Sequence, residues 1–410
     1  MAVGAGDLPI FPSIEGIRLG VAESGIKTFG RKDLVLIEVA AGGSCAGVFT
    51  QNAFCAAPVT LCKRHLKSDV FDTSLPTYLL INTGNANAGT GKQGLADAQD
   101  SCCFVASHFD VKPTQVLPFS TGVIGEKLPI EKIQAGIPLV AKALDSDNWL
   151  AAAQGILTTD TRPKGASVQV EYAGHKLTIN GVSKGAGMIM PNMATMLGFI
   201  GTDAKLSQGL VHDLVKELAE ISFNRITVDG DTSTNDSCML MASARSLAPE
   251  ITEDHEDFPA FKAALKGVFI ELAQAIIKDG EGATKFVSVV VEQAKNVEEA
   301  LGLAYTIAHS PLIKTALFAS DPNWGRILAA LGRAPIESLD LSLVEIYLGD
   351  VRIVHAGERC PNYTEAQGQA VMDCDEITIR LCLGRGNISE TVWTSDLSHD
   401  YVTINAEYRT

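Results

Sequence analysis

Residues 184–204 read KGAGMIMPNMATMLGFIGTDA. The run is apolar and rich in Met, Gly and Ala, yet Pro191 and Asn192 interrupt it. Thr195 sits between two methionines, directly after the small Ala194. Two readings of its hydroxyl stand side by side. As a core residue it bonds a nearby carbonyl. As a nucleophile it needs a base, and one route requires no histidine: cleavage before Thr195 frees an α-amino group that can serve. Such an amine has an unperturbed pKa of ~7.7–8.0, so a useful fraction is neutral at physiological pH. Ala194 leaves room for a tight turn in which the Thr195 hydroxyl attacks the preceding carbonyl. The chain has no evident Ser-His-Asp or Cys-His signature, which leaves this route open.

Outward from this run the pattern is mixed. LVLIEVA near Leu34, AGVFT near Ala46 and TYLLIN near Thr77 read as strands. Residues 93–109 and 130–144 read as helices. Residues 167–180 alternate on both sides of Ala173-Gly174 and predict a β-hairpin. Residues 208–221 carry Leu210, Leu214, Val215 and Leu218 on one face of a helix. Residues 261–278 form a second long helix, stopped at Gly280. FVSVVVEQ, residues 286–293, is the strongest buried-strand signal. From Leu339 strands return in LDLSLVEIYL, VRIVHAG, EITIRLCLG and ETVWTSDLS. Few βαβ alternations occur, so the expected class is α+β: layered sheets flanked by helices. A soft boundary to a smaller C-terminal α/β subdomain is expected near residues 300–310.

Composition narrows the function. A 410-residue chain with 46% hydrophobic and 20% charged residues is globular. Its net charge of −15, without a long basic run, argues against nucleic-acid binding. Nine cysteines, odd in number and without a C-x-x-C pair, read as reduced core thiols of a cytoplasmic protein. Eight dispersed histidines give a metal no support. No export signal opens the chain and no apolar stretch reaches the ~20 residues of a membrane span.

Four segments gather polar residues beyond what packing demands. NTGNANAGTG, residues 82–91, lacks the spacing of a phosphate loop and reads as a turn-rich loop shaping a pocket. FSTGVIGE, residues 119–126, offers a Thr-Gly turn whose hydroxyl and N–H suit an oxyanion, although a plain turn is the simpler account. FNRITVDGDTSTNDS, residues 223–237, has the D-x-D spacing of calcium loops. Leu240 stands where a twelfth-position glutamate is needed, which leaves Asx-turns. KDGEGATK, residues 278–285, places Glu281 between two glycines, either as a solvated charge or facing a substrate ammonium.

Together, KGAGMIMPNMATML, STGVIGE, RITVDGDTSTNDS and DGEGATK closely resemble the glutamate N-acetyltransferase, or ornithine acetyltransferase, family. VFTQNAFCAAPV, DPNWGRI and the terminal NAEYRT extend the likeness over nearly the whole chain. The resemblance implies a fold similar to self-processing amidases with an N-terminal nucleophile. It implies cleavage between Ala194 and Thr195, giving an α chain of residues 1–194 and a β chain of residues 195–410. Thr195 is then the nucleophile of a ping-pong reaction that moves acetyl from N2-acetyl-L-ornithine to L-glutamate. Thr121 and Gly122 match the family's oxyanion hole, and Thr158, Lys184, Glu281, Asn405 and Thr410 match substrate-contacting positions. No cofactor is implied, with acetyl-CoA open as a co-substrate, and self-association as α2β2 or larger is expected. Two other readings remain. An amidase or aminopeptidase of the same fold would pass the acyl group to water, and an uncleaved binding protein would pass it nowhere.

Overall fold

The computed structural model describes residues 2–4, 6–67, 70–190 and 196–407. Ala194, Thr195 and Thr410 therefore lie outside the described residues. The described strands form three sheets. The first is ordered Ile17–Ala22, Leu34–Val39, Thr77–Asn85, Val116–Val123. The second is ordered Ser44–Phe49, Ser237–Ala242, Leu197–Thr202, His175–Lys184, Lys164–Tyr172.

Successive side chains of a strand point to opposite faces, and this alternation sets the layers. In Ser237–Ala242, Met239 and Met241 join the core between the two sheets. Cys238, Leu240 and Ala242 pack with the helices Gln208–Glu220 and Phe258–Lys278. In Thr77–Asn85, Leu79 and Ile81 face the inter-sheet core. Tyr78 and Leu80 pack with the helices Gly91–Phe109 and Ile130–Lys142. Phe119 and Phe199 meet edge to face across the gap, with ring centroids 5.1 Å apart. The layers thus run helix, sheet, sheet, helix. Because both faces of each sheet are covered, LVLIEV and SCMLMA read as continuous apolar runs rather than alternating ones.

The third sheet is ordered Glu358–Arg359, Val351–His355, Glu345–Leu348, Glu376–Cys382, Phe286–Ala294, Ile388–Ser395, Ile226–Thr227. Helices Val297–Ala308, Pro311–Phe318 and Trp324–Gly332 share its core. Residues 300–310, the expected soft boundary, lie inside this unit. Leu303, Ala304 and Ile307 are buried with Val287, Val289 and Val291 of the central strand. The edge strand Ile226–Thr227 belongs in sequence to the first unit, so the two units interlock.

Some local expectations shift. The hairpin forms as read, with Ala173 (φ 51°) and Gly174 (φ 75°) supplying the left-handed turn. The long helix starts at Phe258 and ends at Lys278, and the left-handed residue falls at Gly282 (φ 69°) rather than at Gly280. Residues 119–123 are not a turn but the end of the strand Val116–Val123. Of LDLSLVEIYL, only Glu345–Leu348 is strand, because Asp340 accepts the Ser342 N–H and caps a short 3-10 turn over Leu341–Leu343. Among the described residues no helix is long and apolar enough to cross a membrane.

Helix Phe258–Lys278 lies directly on Gly181. A Cβ there would sit 2.7 Å from Leu272 Cδ1 and 3.0 Å from Val268 Cγ1. Gly181→Val should destabilise by about 1–3 kcal/mol through overpacking, read as a lower urea midpoint. An unchanged midpoint would mean that the helix backs away without cost.

Candidate active site

The site lies at one end of the two-sheet sandwich. In the second sheet Lys184 pairs with Leu197, which pairs with Ser237, so three strand ends share one row. In the first sheet Thr83 and Gly84 pair with Thr121 and Gly122, where a bulge interrupts the register. Gly122 has φ 136°, and a Cβ on it would fall 2.3 Å from the Gly84 carbonyl carbon. The two backbones touch there, and only glycine allows it. Asn235 ties the strand ends together, its Nδ2 donating to Ala86 O (2.6 Å) and Ser120 O (2.9 Å).

A cavity of about 250 Å³ opens at this end. Thr121, Gly122, Thr158, Lys184, Glu281 and Asn405 line it, joined by Gly187, Met188, Ser233 and Asn235. All the described residues singled out from the sequence thus converge. A smaller cavity of about 20 Å³ lies behind, bounded by Thr121, Lys184, Met196, Leu197, Ser233, Asn235 and Asp236. Met196 is the residue that follows Thr195, so the chain re-enters the described structure at the inner wall of the site. Upstream, the segment leading to Met190 is held firmly. Asp229 accepts the N–H groups of Met188 (2.7 Å) and Ile189 (2.9 Å), and Thr227 Oγ1 donates to Ile189 O (2.9 Å).

Lys184 is buried at the end of its strand, and Nζ donates to Thr121 Oγ1 at 3.2 Å. This takes one of the two lone pairs of the Thr121 hydroxyl and leaves its proton to be donated elsewhere. Burial lowers the Lys184 pKa from the ordinary lysine value, while Asp160, Asp236 and Glu281 work in the opposite direction. Among the carboxylates that favour the Lys184 charge, Asp160 acts most strongly. Burial pushes its carboxyl up, but Lys164 and Lys184 outweigh that and hold it well below the usual carboxylate range. Asp160 accepts from Gly185 N (2.7 Å), Thr158 N (3.0 Å) and Lys164 Nζ (2.6 Å). Lys164, 1% exposed, bonds Asp279 at the same distance. Asp279 also accepts the backbone N–H (3.1 Å) and the hydroxyl of Thr161.

Glu281 is not a solvated turn residue. It is 8% exposed, its N–H donates to Ala186 O (2.8 Å), and Oε2 accepts Asn405 Nδ2 (2.8 Å). Gly187 makes room for it: a Cβ there would lie 2.3 Å from Oε2. Asn405 arrives on the helix His399–Ala406, which Tyr401 fastens by donating its hydroxyl to Asp229 at 3.2 Å. Sequence reasoning missed Ser233, Asn235, Asp236 and Asp160. The first three lay in the TSTNDS segment read as turns. Asp160 is two residues past Thr158, and its burial has no sequence signature.

Residues 18–410 match the ArgJ family. The chain belongs to this family. A relative from Pseudomonas fluorescens, the arginine biosynthesis bifunctional protein ArgJ, is 56% identical over 100% of both chains. The protein of that name from Methylococcus capsulatus is 56% identical over 98% of this chain and 97% of its own. The solved structure of the Bacillus halodurans protein is 38% identical, covers 51% of this chain and 97% of that one, and superposes with a TM-score of 0.49.

Lys164 pairs with two buried carboxylates, and removing one partner of such a set typically costs about 3–5 kcal/mol. Lys164→Met should lower the denaturation midpoint accordingly and raise the Michaelis constant through the displaced Thr158 loop. A variant as stable as the native chain would show that the two carboxylates are held without the ammonium.

Proposed function

We propose that this chain is a self-processing acyltransferase that moves acetyl from N2-acetyl-L-ornithine to L-glutamate, releasing ornithine and N-acetylglutamate. The observation that carries the reading is a cavity with a buried cation on one wall and a buried carboxylate on another. The smaller cavity that shares Thr121 and Lys184 with it is bounded by Met196, the residue that follows Thr195. Substrate and acceptor are both α-amino-acid derivatives with a carboxylate, and Lys184 supplies its counter-charge. Ornithine carries an additional ammonium, for which the Glu281 carboxylate, steered by Asn405, is the matching group. Thr158 and the Thr410 end complete the contacts that the family resemblance assigns.

The chemistry follows in two balanced halves. After cleavage between Ala194 and Thr195, the Thr195 amine takes the proton of its own hydroxyl as Oγ attacks the acetyl carbonyl. Thr121 Oγ1 and the Gly122 N–H receive the negative charge that develops on the carbonyl oxygen. The C–N bond breaks, the amine returns its proton to the departing nitrogen, and acetyl-threonine remains. The glutamate amine then attacks that ester, and the same steps run in reverse. No resident cofactor is needed. The relatives' name includes "bifunctional", and we assign to this cavity a second donor, acetyl-CoA, for direct acetylation of glutamate. The cut chains of residues 1–194 and 195–410 stay together and assemble as α2β2 or larger, in the cytoplasm.

A denaturing gel should show two bands of roughly half the chain mass, and Thr195→Ala a single full-length band. A single band from the unmutated chain removes the nucleophile. Glutamate should accelerate acetylornithine turnover and appear as acetylglutamate, whereas turnover indifferent to glutamate would make water the acceptor. Replacing Thr121 by Val should lower kcat about 10²–10³-fold, the usual cost of one oxyanion donor.

A further inference from the structure

A ring of residues closes on the Glu281 carboxylate. Gly187 lies against it, where a Cβ would fall 2.3 Å from Oε2, and Asn405 Nδ2 donates to the same oxygen at 2.8 Å. Met188 follows Gly187 in the chain, and its N–H donates to Asp229 Oδ2 at 2.7 Å. Asn405 stands one helical turn after Tyr401 and also donates to the Tyr401 carbonyl at 3.0 Å. The Tyr401 hydroxyl in turn donates to Asp229 Oδ2 at 3.2 Å. Both arms of the ring therefore start from one oxygen atom of Asp229 and end at Glu281.

Each arm bears the marks of being held in place. Asp229 Oδ1 accepts the N–H groups of Ile189 (2.9 Å) and Asp231 (3.3 Å), so with the two bonds on Oδ2 the acceptor capacity of the carboxylate is filled. Met188, at the lip of the cavity, has φ 56°. A non-glycine residue keeps that left-handed conformation where its surroundings over-determine it, and such residues cluster at ligand sites. On the other arm, the helix His399–Ala406 buries none of its residues, which gives its polar ties the larger part in placing it. Ser398 fixes its start by donating to Gly282 O at 2.6 Å, and Tyr401 fixes its rotation through Asp229.

We infer that Asp229 and Tyr401 are positioning residues for recognition of the ligand's terminal ammonium. Neither lines the cavity. Asp229 sets where Gly187 and Asn405 stand relative to each other, and the gap between those two places the Glu281 carboxylate. With Oε2 taken by Asn405, Oε1 is left for a ligand ammonium. A carboxylate already fixed in the binding geometry loses less freedom on binding than one that must first be ordered, and so binds more tightly. This rests on Glu281 being the partner of the ornithine ammonium, as proposed above.

Ornithine and norvaline differ only in the terminal amine, so the ratio of their dissociation constants isolates the ammonium contact. Calorimetric titration of the full chain should show ornithine bound about tenfold or more tightly than norvaline. Tyr401→Phe keeps the ring and removes the hydroxyl. It should cut that ratio about fivefold, the scale of one hydrogen bond, by weakening ornithine while norvaline stays within about twofold. KM for acetylornithine should rise by a similar factor with kcat within about twofold, as when binding common to ground and transition states is lost. Asp229→Ala releases both arms and should abolish most of the preference. In an Asn405→Ala background, Tyr401→Phe should change the ratio by less than about twofold, because it acts through Asn405. An unchanged ratio in Tyr401→Phe overturns the inference. So does an equal loss for both ligands, which marks general loosening, or a full effect in the Asn405→Ala background. Should Asp229→Ala fail to fold, the Tyr401→Phe results decide alone. A native chain indifferent to the terminal amine would fail the Glu281 assignment and this inference with it, whereas native selectivity that survives Tyr401→Phe fails this inference only.

Discussion

The ammonium of Lys164 holds the site in place. Two carboxylates with no access to water converge on it, Asp160 and Asp279, each 2.6 Å away. Burying a charge is expensive unless it is paired and its remaining valences are filled, and here they are. Asp160 fills its own with the backbone of Thr158 and Gly185, and Asp279 with the backbone and hydroxyl of Thr161. Four pieces of chain are fixed by this one arrangement: the loop carrying Thr158, the strand Lys164–Tyr172, the residue after Lys184 and the end of the helix Phe258–Lys278. The segment that leads toward Thr195 starts from Gly185. Its starting point is therefore set by electrostatics rather than by apolar packing.

From that anchor the sandwich supplies the second coordinate. Two sheets packed face to face expose their strand ends only at the edges of the layer, where backbone groups lack ladder partners and side chains can face a cavity. Lys184, Leu197 and Ser237 end one sheet in a single row, and Thr121 and Gly122 end the other. The Gly84–Gly122 contact lets the first sheet close tightly just before it opens to the cavity. Asn235 then bridges the sheets through two carbonyls, Ala86 and Ser120. The Thr121 hydroxyl and the Lys184 ammonium approach to 3.2 Å because two sheets end at the same place, not because they are near in sequence.

This explains what the sequence disclosed. Doubly buried strands such as those at Leu34 and Phe286 announce themselves by unbroken apolar runs, and the Ala173-Gly174 hairpin by its turn residues. Thr121, Gly122, Lys184 and Glu281 were legible only through motifs, because nothing local distinguishes a Thr-Gly at a strand end from a Thr-Gly turn. The burial of Glu281 was invisible: two flanking glycines suggest exposure, yet Gly187 and Asn405, 94 and 124 residues away from it, enclose the carboxylate. Asp160 and Asp236 were missed for the same reason. Their character comes from desolvation and from lysines brought in by the fold, and neither is written in a window of neighbouring residues.

The opposed charges also bear on which way a substrate lies. Lys184 reaches the cavity from the strand His175–Lys184, and Glu281 from beyond the end of the helix Phe258–Lys278, with Gly187 packed against its carboxylate. A ligand with a carboxylate at one end and an ammonium at the other has one electrostatically favourable orientation between them, and the reversed one places like charges together. Glutamate lacks the distal ammonium and carries a distal carboxylate, so it gains nothing from Glu281 in the orientation that suits ornithine. It must leave that wall hydrated or shield it. A cavity of about 250 Å³, rather than a close-fitting slot, leaves room for the waters that such an exchange of substrates requires.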